Sequence, residues 1–498
     1  MSASPIQDLQ GGLPDWLPDR LDSKLEPAPA GEVRLLEDQL GFGRAVRILR
    51  EAGGRLISVF LASRPEPSLV AALALRGHAV LLRTPYRQEL EFPDLGETWP
   101  AAEWPMAELV ERDELRILGS RVARRLTEPD ADRLDRRVDG FDVFTIPYGP
   151  VRSGIFESIQ FQIETGGEDV PRLETRPFFK HRGMEGRFEG LDPDRATYVA
   201  ERVAGIASVA YACAFAQAVE RALGVKPPPR AERWRAVHAE LERLANHLDV
   251  VAKEAETTAL FVGQARFQML KENVMRLRAA LCGSRYGRGV VVPGGVRLDG
   301  RVDLDALLEA LDVFERELRR DRKLFLGTAS MTDRLIGSGH LDRRTIEDFG
   351  AVGPLARGSG VSTDARHERP YGDYHRLGLQ VVTASGGDAM ARVEVRFGEM
   401  TESLRILRQA IDQLRRRDGE LRVELPPGEG EALGWAEAPQ GELAIWVEVE
   451  AGRLRRVRIS SPSFRNWALF DHAFPKDVLT DFAFIEHSFG LTPAGADR

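Results

Sequence analysis

Apolar residues recur at helical spacing through most of the second half of the chain. Between Ala231 and Glu256, Val237, Leu241, Leu244, Leu248 and Val251 fall on one stripe, as the side chains of a core-facing helix do. Similar patterns predict helices over Asp192–Leu223, Phe261–Leu281, Asp303–Leu326 and Gly398–Arg417. Long helices in succession form a bundle, not a parallel sheet. The first part of the chain reads differently, with a helix near Asp38–Gly53, a strand at Arg55–Ala62, a helix at Ser68–Arg76 and a strand at Ala79–Phe92. Alternation of Ile155, Ile159, Phe161 and Ile163 suggests a strand within Ser153–Glu164 that leads into a hairpin, and Glu442–Glu450 with Leu454–Ile459 predicts another around Ala451-Gly452. The expected fold is α+β, with a small N-terminal α/β domain followed by a large helical bundle carrying peripheral β-hairpins. The boundaries this implies are a loose tail over 1–30, rich in Pro, Gly and Asp, a first domain over 31–118, a charged linker over 119–148 and the large domain over 149–498.

One stretch breaks the amphipathic rule. Val203 to Ala216 carries no charge on any helical face, which places it inside a core or a membrane. It is shorter than the roughly 20 residues a bilayer requires, so the centre of a soluble domain is expected. Its small residues, from Ala204 and Gly205 to Ala216, let neighbouring elements come close.

Composition narrows the function classes. The formal net charge of -8 argues against a general nucleic-acid partner. Arginine greatly outnumbers lysine, a bias read here as compositional. The two cysteines, Cys213 and Cys282, have no partner at metal-ligand spacing, which excludes a disulfide framework and a cysteine-held cluster. No signal peptide and no long apolar span is evident, so the protein is expected to be cytoplasmic and, if membrane-associated, peripheral. No GxGxxG after a strand and no P-loop occurs, so no dinucleotide site is expected in this chain.

Read whole, Phe178–Gly224 resembles the large subunit of energy-converting [NiFe] hydrogenases and the related 49-kDa, D-type subunit of NADH-quinone oxidoreductase. Arg182-Gly183-Met184-Glu185 matches the family's RGxE motif. Glu201-Arg202-Val203-Ala204-Gly205-Ile206-Ala207 matches its following segment except at two cysteines. Further matches are Glu242-Arg243 with His247, the stretch Val352–Tyr374, Gly387-Asp388-Ala389 to Arg392, Glu399-Met400, Ser403-Leu404 and Ser461-Pro462-Ser463-Phe464. Phe92–Glu108 is similar to the end of the 30-kDa, C-type domain that precedes the large subunit in formate-hydrogenlyase-type proteins.

In the hydrogenases four thiolates hold nickel and iron. The resemblance puts those positions on Ala204, Ala207, Thr492 and Gly495, and soft thiolates cannot be replaced by methyl groups or hydrogen. No metal is therefore expected in this chain. The quinone-site loop of the other branch is also altered, its histidines falling on Arg152 and Phe156 and its tyrosine at or beside Gly205. The resemblance makes Glu185 and His181 candidates for a proton relay, since a buried carboxylate with a raised pKa suits that role. The alternative is an inert pair of Glu185 with Arg182 or Arg202. Arg182, Arg202 and Arg366 are expected to line the vacated cavity, Glu201 and Arg202 to cap the helix that follows, and Asp497 and Arg498 to anchor the C-terminus. The implied protein is a subunit of a membrane-associated respiratory oxidoreductase complex, or a non-catalytic scaffold within one. Its partners would be a small, B-type iron–sulfur subunit holding the nearest cluster and ion-translocating membrane subunits, with quinone a possible ligand.

Overall fold

The computed structural model describes residues 31–118, 142–152, 158–298, 302–416, 418–475 and 477–498, together with isolated positions between 17 and 29 and at 126 and 138. A five-stranded sheet organises the first domain. Strands β1 (Lys24–Glu26), β2 (Glu32–Leu36), β3 (Arg55–Ala62), β4 (Ser68–Leu75) and β5 (His78–Pro85) lie in the order β1-β2-β5-β4-β3, with β2 and β5 parallel and every other neighbour antiparallel. Helices α1 (Gln39–Glu51) and α2 (Glu103–Arg112) cover one face, where Phe42, Val46, Leu49, Met106 and Leu109 meet Leu69, Leu73 and Leu82. Asp38 starts α1 by accepting from the Gly41 N–H, the usual remedy for an orphaned helix donor.

The other face of this sheet is buried as well. Phe60, Val70, Ala72 and Leu81 pack against Trp435, Ala444 and Trp446 of a second sheet. That sheet is an antiparallel meander of β9 (Gly430–Ala438), β10 (Gly441–Glu450) and β11 (Arg453–Ser460). Double burial explains the expectation that failed at Ser68–Arg76. These residues form β4, buried at all eight positions, and a strand covered on both faces shows a continuous apolar run without alternation. Ala71, Ala72 and Ala74 favour a helix by propensity, and burial on both faces overrides that preference. The strand expected over Ala79–Phe92 stops at Pro85, and Glu91–Phe92 pairs separately with Arg116–Ile117.

Beyond β9 and β10 lies helix α4 (Ser208–Ala222), whose Phe215 and Val219 share a core with Ala436, Ile445 and Val447. The bundle follows: α5 (Pro229–Thr257), α6 (Phe261–Cys282), α7 (Leu304–Leu326) and α8 (Ala389–Arg416), packed around Leu241, Leu244, Leu248, Phe267, Phe325 and Phe397. Helix α8 begins nine residues before the position read from the sequence, because Arg392 and Arg396 of its first turns are themselves buried and interrupt the apolar stripe.

Two boundaries shift. The expected tail contains β1, and Leu17 and Leu21 are buried in the first domain's core. The expected linker ends in a strand, β6 (Phe144–Tyr148), paired with β7 (Gln160–Thr165), which forms the anticipated hairpin with β8 (Arg172–Arg176). The remainder of the tail, most of the linker and residues 153–157 lie outside the described residues. No single helix among the described residues is long and apolar enough to cross a membrane.

The contact between β9 and α4 depends on a missing side chain. A Cβ on Gly434 would lie 2.1 Å from the Ala214 carbonyl oxygen and 2.5 Å from the Ala218 nitrogen, backbone atoms that cannot step aside. Gly434→Ala should therefore destabilise the protein by about 3 kcal/mol, the upper range for overpacking. Urea denaturation measures this, and an unchanged midpoint would refute the close approach.

Candidate functional site

The apolar stretch is not one helix. Helix α3 (Pro193–Ala200) and the following segment meet at 112°, and Ala204 between them is extended, with φ -140° and ψ 114°. Such a break frees backbone groups inside a core, where an unmet hydrogen bond costs about 1–3 kcal/mol. Neighbours satisfy several of them. The Glu242 carboxylate on α5 accepts from the N–H groups of Val209 (2.8 Å) and Ala210 (3.0 Å), closing the start of α4. Glu201, expected to cap this helix, instead accepts from the Gly289 N–H at 2.5 Å. Ser208 Oγ donates to the Glu201 carbonyl at 2.9 Å.

The C-terminal segment is fixed at the same place. Helix α9 (Pro493–Ala496) is held by Ser461 Oγ, which donates to the Gly495 carbonyl at 2.6 Å, and by the Thr492 N–H, which donates to Ser463 Oγ at 3.2 Å. The Asp497 carboxylate accepts from the N–H groups of Phe178 (2.7 Å) and Lys180 (3.1 Å). Arg182 then joins the two segments: its guanidinium donates to the carbonyls of Val203 (2.5 Å), Ala494 (2.7 Å) and Arg202 (3.2 Å). The segments bearing Ala204 and Ala207 on one side and Thr492 and Gly495 on the other thus share one guanidinium.

The residues present do not fit a nickel–iron centre. Ala204, Ala207 and Thr492 are buried and offer two methyl groups and a hydroxyl. A Cβ on Gly495 would stand 3.1 Å from both Cβ and Oγ of Ser463, so a side chain there meets an occupied space. Among the described residues no group of three or more His, Cys, Asp or Glu side chains is placed to hold a metal ion.

Glu185 is buried and saturated. Its carboxylate accepts from Arg458 (2.9 Å), the Ile459 N–H (2.8 Å) and Arg498 (3.3 Å), and Arg112 stands 3.7 Å away. Burial alone raises a carboxyl pKa, but Arg458, Arg498 and Arg112 together outweigh it and hold Glu185 down at about 2. It is therefore ionised at neutral pH, the opposite of the raised pKa that a relay requires, and its partners are not the Arg182 or Arg202 considered from the sequence. The cluster also bridges the domains. Arg498 donates to Glu108 (2.5 Å) and Arg458 to Asp113 (2.8 Å), residues at the end of the first domain. His181 lies partly exposed beside Phe178. Partial burial and the Arg112 charge lower its pKa, so the imidazole is neutral at pH 7.

The other expected residues separate. Arg202 extends outward, its side chain 51% exposed, and donates to the Tyr198 carbonyl at 2.8 Å. Arg366 belongs to a buried network between α5, α8 and β9. There it pairs with Asp364 (2.7 Å) and Glu240 (2.9 Å), Arg357 pairs with Glu399 (2.7 Å) and Glu437 (2.9 Å), and His247 meets Glu399 at 2.9 Å. Burial and the neighbouring Asp364 push Glu437 up to about 7, whereas burial lowers His247 to about 4. Glu240, Arg243 and His247 interrupt an otherwise apolar helix face at steps of three and four, the signal that marks such a network in sequence. Arg152, where the quinone branch has histidine, forms a two-pronged pair with Glu486 at 2.7 and 2.9 Å. Phe156 lies outside the described residues.

Comparison with known proteins joins these features. Residues 257–427 match the family described as respiratory-chain NADH dehydrogenase, 49 Kd subunit. A D-type subunit of NADH-quinone oxidoreductase from Anaeromyxobacter dehalogenans is 32% identical over 382 residues, covering 73% of this chain and 98% of its own length. Formate hydrogenlyase subunit 5 of Escherichia coli is 28% identical over 442 residues, covering 82% of this chain and 77% of its own. The chain belongs to the 49-kDa subunit and hydrogenase large-subunit family. A solved structure of the membrane-bound sulfane sulfur reductase, an archaeal respiratory membrane complex, shares the family fold. Its TM-score is 0.67 at 24% identity over 72% of this chain and 99% of that one. Within the family frame, the segment before α4 and the C-terminal helix meet through Arg182 without the donors of a metal centre.

Glu185 supplies a test. Its pKa is depressed from the ordinary 4.5 to about 2, so its stabilisation is complete above pH 4.5 and is lost as pH falls toward 2. Glu185→Gln should lower stability by about 3 kcal/mol at pH 7, since Arg458 and Arg498 stay buried without their counter-charge. The gap to the parent protein should narrow between pH 4.5 and 2. Denaturant midpoints across that range measure it, and a pH-independent gap would exclude the ion-pair account.

Proposed function

We propose that this chain is a peripheral subunit of a membrane-associated respiratory oxidoreductase complex, on the cytoplasmic face, in which electron transfer is coupled to ion translocation without a nickel–iron centre of its own. The observation that carries this reading is that Arg182 ties together the two segments which the family resemblance marks as ligand-bearing, while the residues at its thiolate positions would be Ala204, Ala207, Thr492 and Gly495. Quinone is the candidate acceptor.

A surface beside the break supports an iron–sulfur partner. Gly205 and Ile206 reach solvent next to buried Ala204 and Ala207. Around them Arg202 lies over Tyr198 at 5.9 Å and Arg288 over Tyr286 at 5.2 Å, while Arg288 stands 3.6 Å from the position of a Cβ on Gly205. Tyrosine and arginine beside an exposed aliphatic residue are typical of interface centres. A cluster held by a partner here would face the small-residue segment directly.

A second reading, a non-catalytic scaffold, is favoured by the ionised state of Glu185. Its role is then to join the domains. The two readings part on activity, because the first requires quinone reduction by the purified complex that responds to substitutions around Ile206 and Arg182.

Purification of the intact complex through a tag on this chain should recover iron in stoichiometric amount and no nickel. Ile206→Asp should reduce co-purified iron at least about tenfold, the loss expected when a charge enters an interface core. Stoichiometric nickel in the purified protein, or full iron recovery with the substituted chain, contradicts the proposal.

A further inference from the structure

Two cavities adjoin where α5 begins. The larger, about 390 Å3, lies between α4, the first turns of α5 and the loop after Pro370. Its walls include Val225, Ala236, Ala239 and Tyr371, with Cys213 among them. The smaller, about 340 Å3, is lined by Arg233, Arg376, Gln413 and Arg416. Every one of these four side chains carries N–H donors. Arg376 lines both spaces, so they share a wall.

The charges do not cancel. In the larger cavity Arg235 is paired with Glu220 (2.5 Å) and Glu232 (3.1 Å), and Arg221 with Glu32 (3.1 Å). At the shared wall Asp373, which lines the larger cavity, serves Arg233 (2.8 Å) and Arg376 (3.5 Å), with His375 3.8 Å away. Arg233 is otherwise held by Gln413, to which it donates at 2.9 Å, and its side chain is only 4% exposed. Arg416 makes no ion pair among the described residues, and neither does Lys226 at the larger cavity. Among the described residues three guanidiniums line the smaller space and the one carboxylate that pairs with two of them belongs to the larger, which leaves a positive excess, and the planar fork of arginine matches phosphate oxygens in pairs. A bare anion would need only the smaller space. The adjoining space has the volume and mixed walls of a small-molecule site.

We propose that the two cavities form one binding site for an organic phosphate. The phosphate lies among Arg233, Arg376, Arg416 and the Gln413 amide, and the apolar or aromatic body of the molecule lies in the larger cavity against Val225, Ala236 and Tyr371. This site is independent of the electron-transfer reading. Two sources carry the required chemistry: a nucleotide, and an anionic phospholipid whose headgroup enters from the side.

Isothermal titration of the full chain with adenosine 5′-monophosphate, dihexanoyl phosphatidic acid and inorganic phosphate separates them. One organic phosphate should bind with a dissociation constant below about 1 mM and at least about tenfold more tightly than inorganic phosphate. The double substitution R376Q/R416Q, at two exposed side chains, should weaken that binding at least about tenfold while leaving the melting temperature unchanged. The nucleotide or the lipid is identified by which of the two responds. Failure of both organic phosphates to bind below about 1 mM overturns the proposal. So does affinity unaltered by R376Q/R416Q, or inorganic phosphate binding as tightly as either organic probe.

Discussion

A chain that leaves the helical path inside an apolar core must find partners for the backbone groups it frees, and the geometry at residues 201–207 answers that requirement. The start of α4 has no hydroxyl or carboxamide cap of its own; Ala207 precedes it. The carboxylate that receives its first N–H groups comes from Glu242, thirty-odd residues later on α5. Burial raises the Glu242 pKa, and the nearby Arg278 opposes that shift. The carbonyls of Arg202 and Val203 receive Arg182, and the same guanidinium takes the Ala494 carbonyl of the C-terminal helix. One local interruption therefore fixes the relative placement of α4, α5 and α9. The layers above follow, because α4 lies on β9 and β10, and the outer face of that sheet receives the first domain.

Arginine is the connector throughout. Arg458 and Arg498 converge on Glu185 and continue to Asp113 and Glu108, so one buried carboxylate holds the domain seam. Arg34 and Arg83 extend from the first sheet over the face of Trp446 in the second, at 5.4 and 5.3 Å. Arg392 and Arg396 donate to the carbonyls of Gly339, Gly387 and Phe489. A delocalised charge with five donors can satisfy several carbonyls where an ammonium would be costly to desolvate. The scarcity of lysine, which reads as a compositional bias in the sequence, thus coincides with a structural use of arginine at buried joints.

Much of the frame was legible because its signals are periodic. The stripe of Val237, Leu241, Leu244, Leu248 and Val251 lies in the bundle core, and the hairpin around Ala451-Gly452 forms where its turn residues placed it. What failed has one physical origin. Periodicity marks a half-buried element, whereas β4 and the start of α8 are buried on nearly every side. An all-apolar strand then resembles a helix, and a helix with buried arginines resembles a loop. The break at Ala204 was hidden in the same way: the sequence shows that the segment is buried, but the turn depends on Glu242 and Arg182, whose contacts are distant in sequence. The segments that carry Ala204, Ala207, Thr492 and Gly495 were legible as motifs, and the structure joins them through Arg182. The setting of Glu185 was not legible, because Arg458 and Arg498 lie more than 270 residues away.

The segments that carry Ala204, Ala207, Thr492 and Gly495 form a packed joint. Removing thiolates from a metal site leaves buried space and unpaired positive charge unless neighbours close in. Here Ser463 crowds the position of a Cβ on residue 495 at 3.1 Å, and Ser461 and Ser463 bond the backbone of the C-terminal segment directly. The positive charge of Arg182 is met by carbonyl oxygens, which need no bound anion to hold it in place.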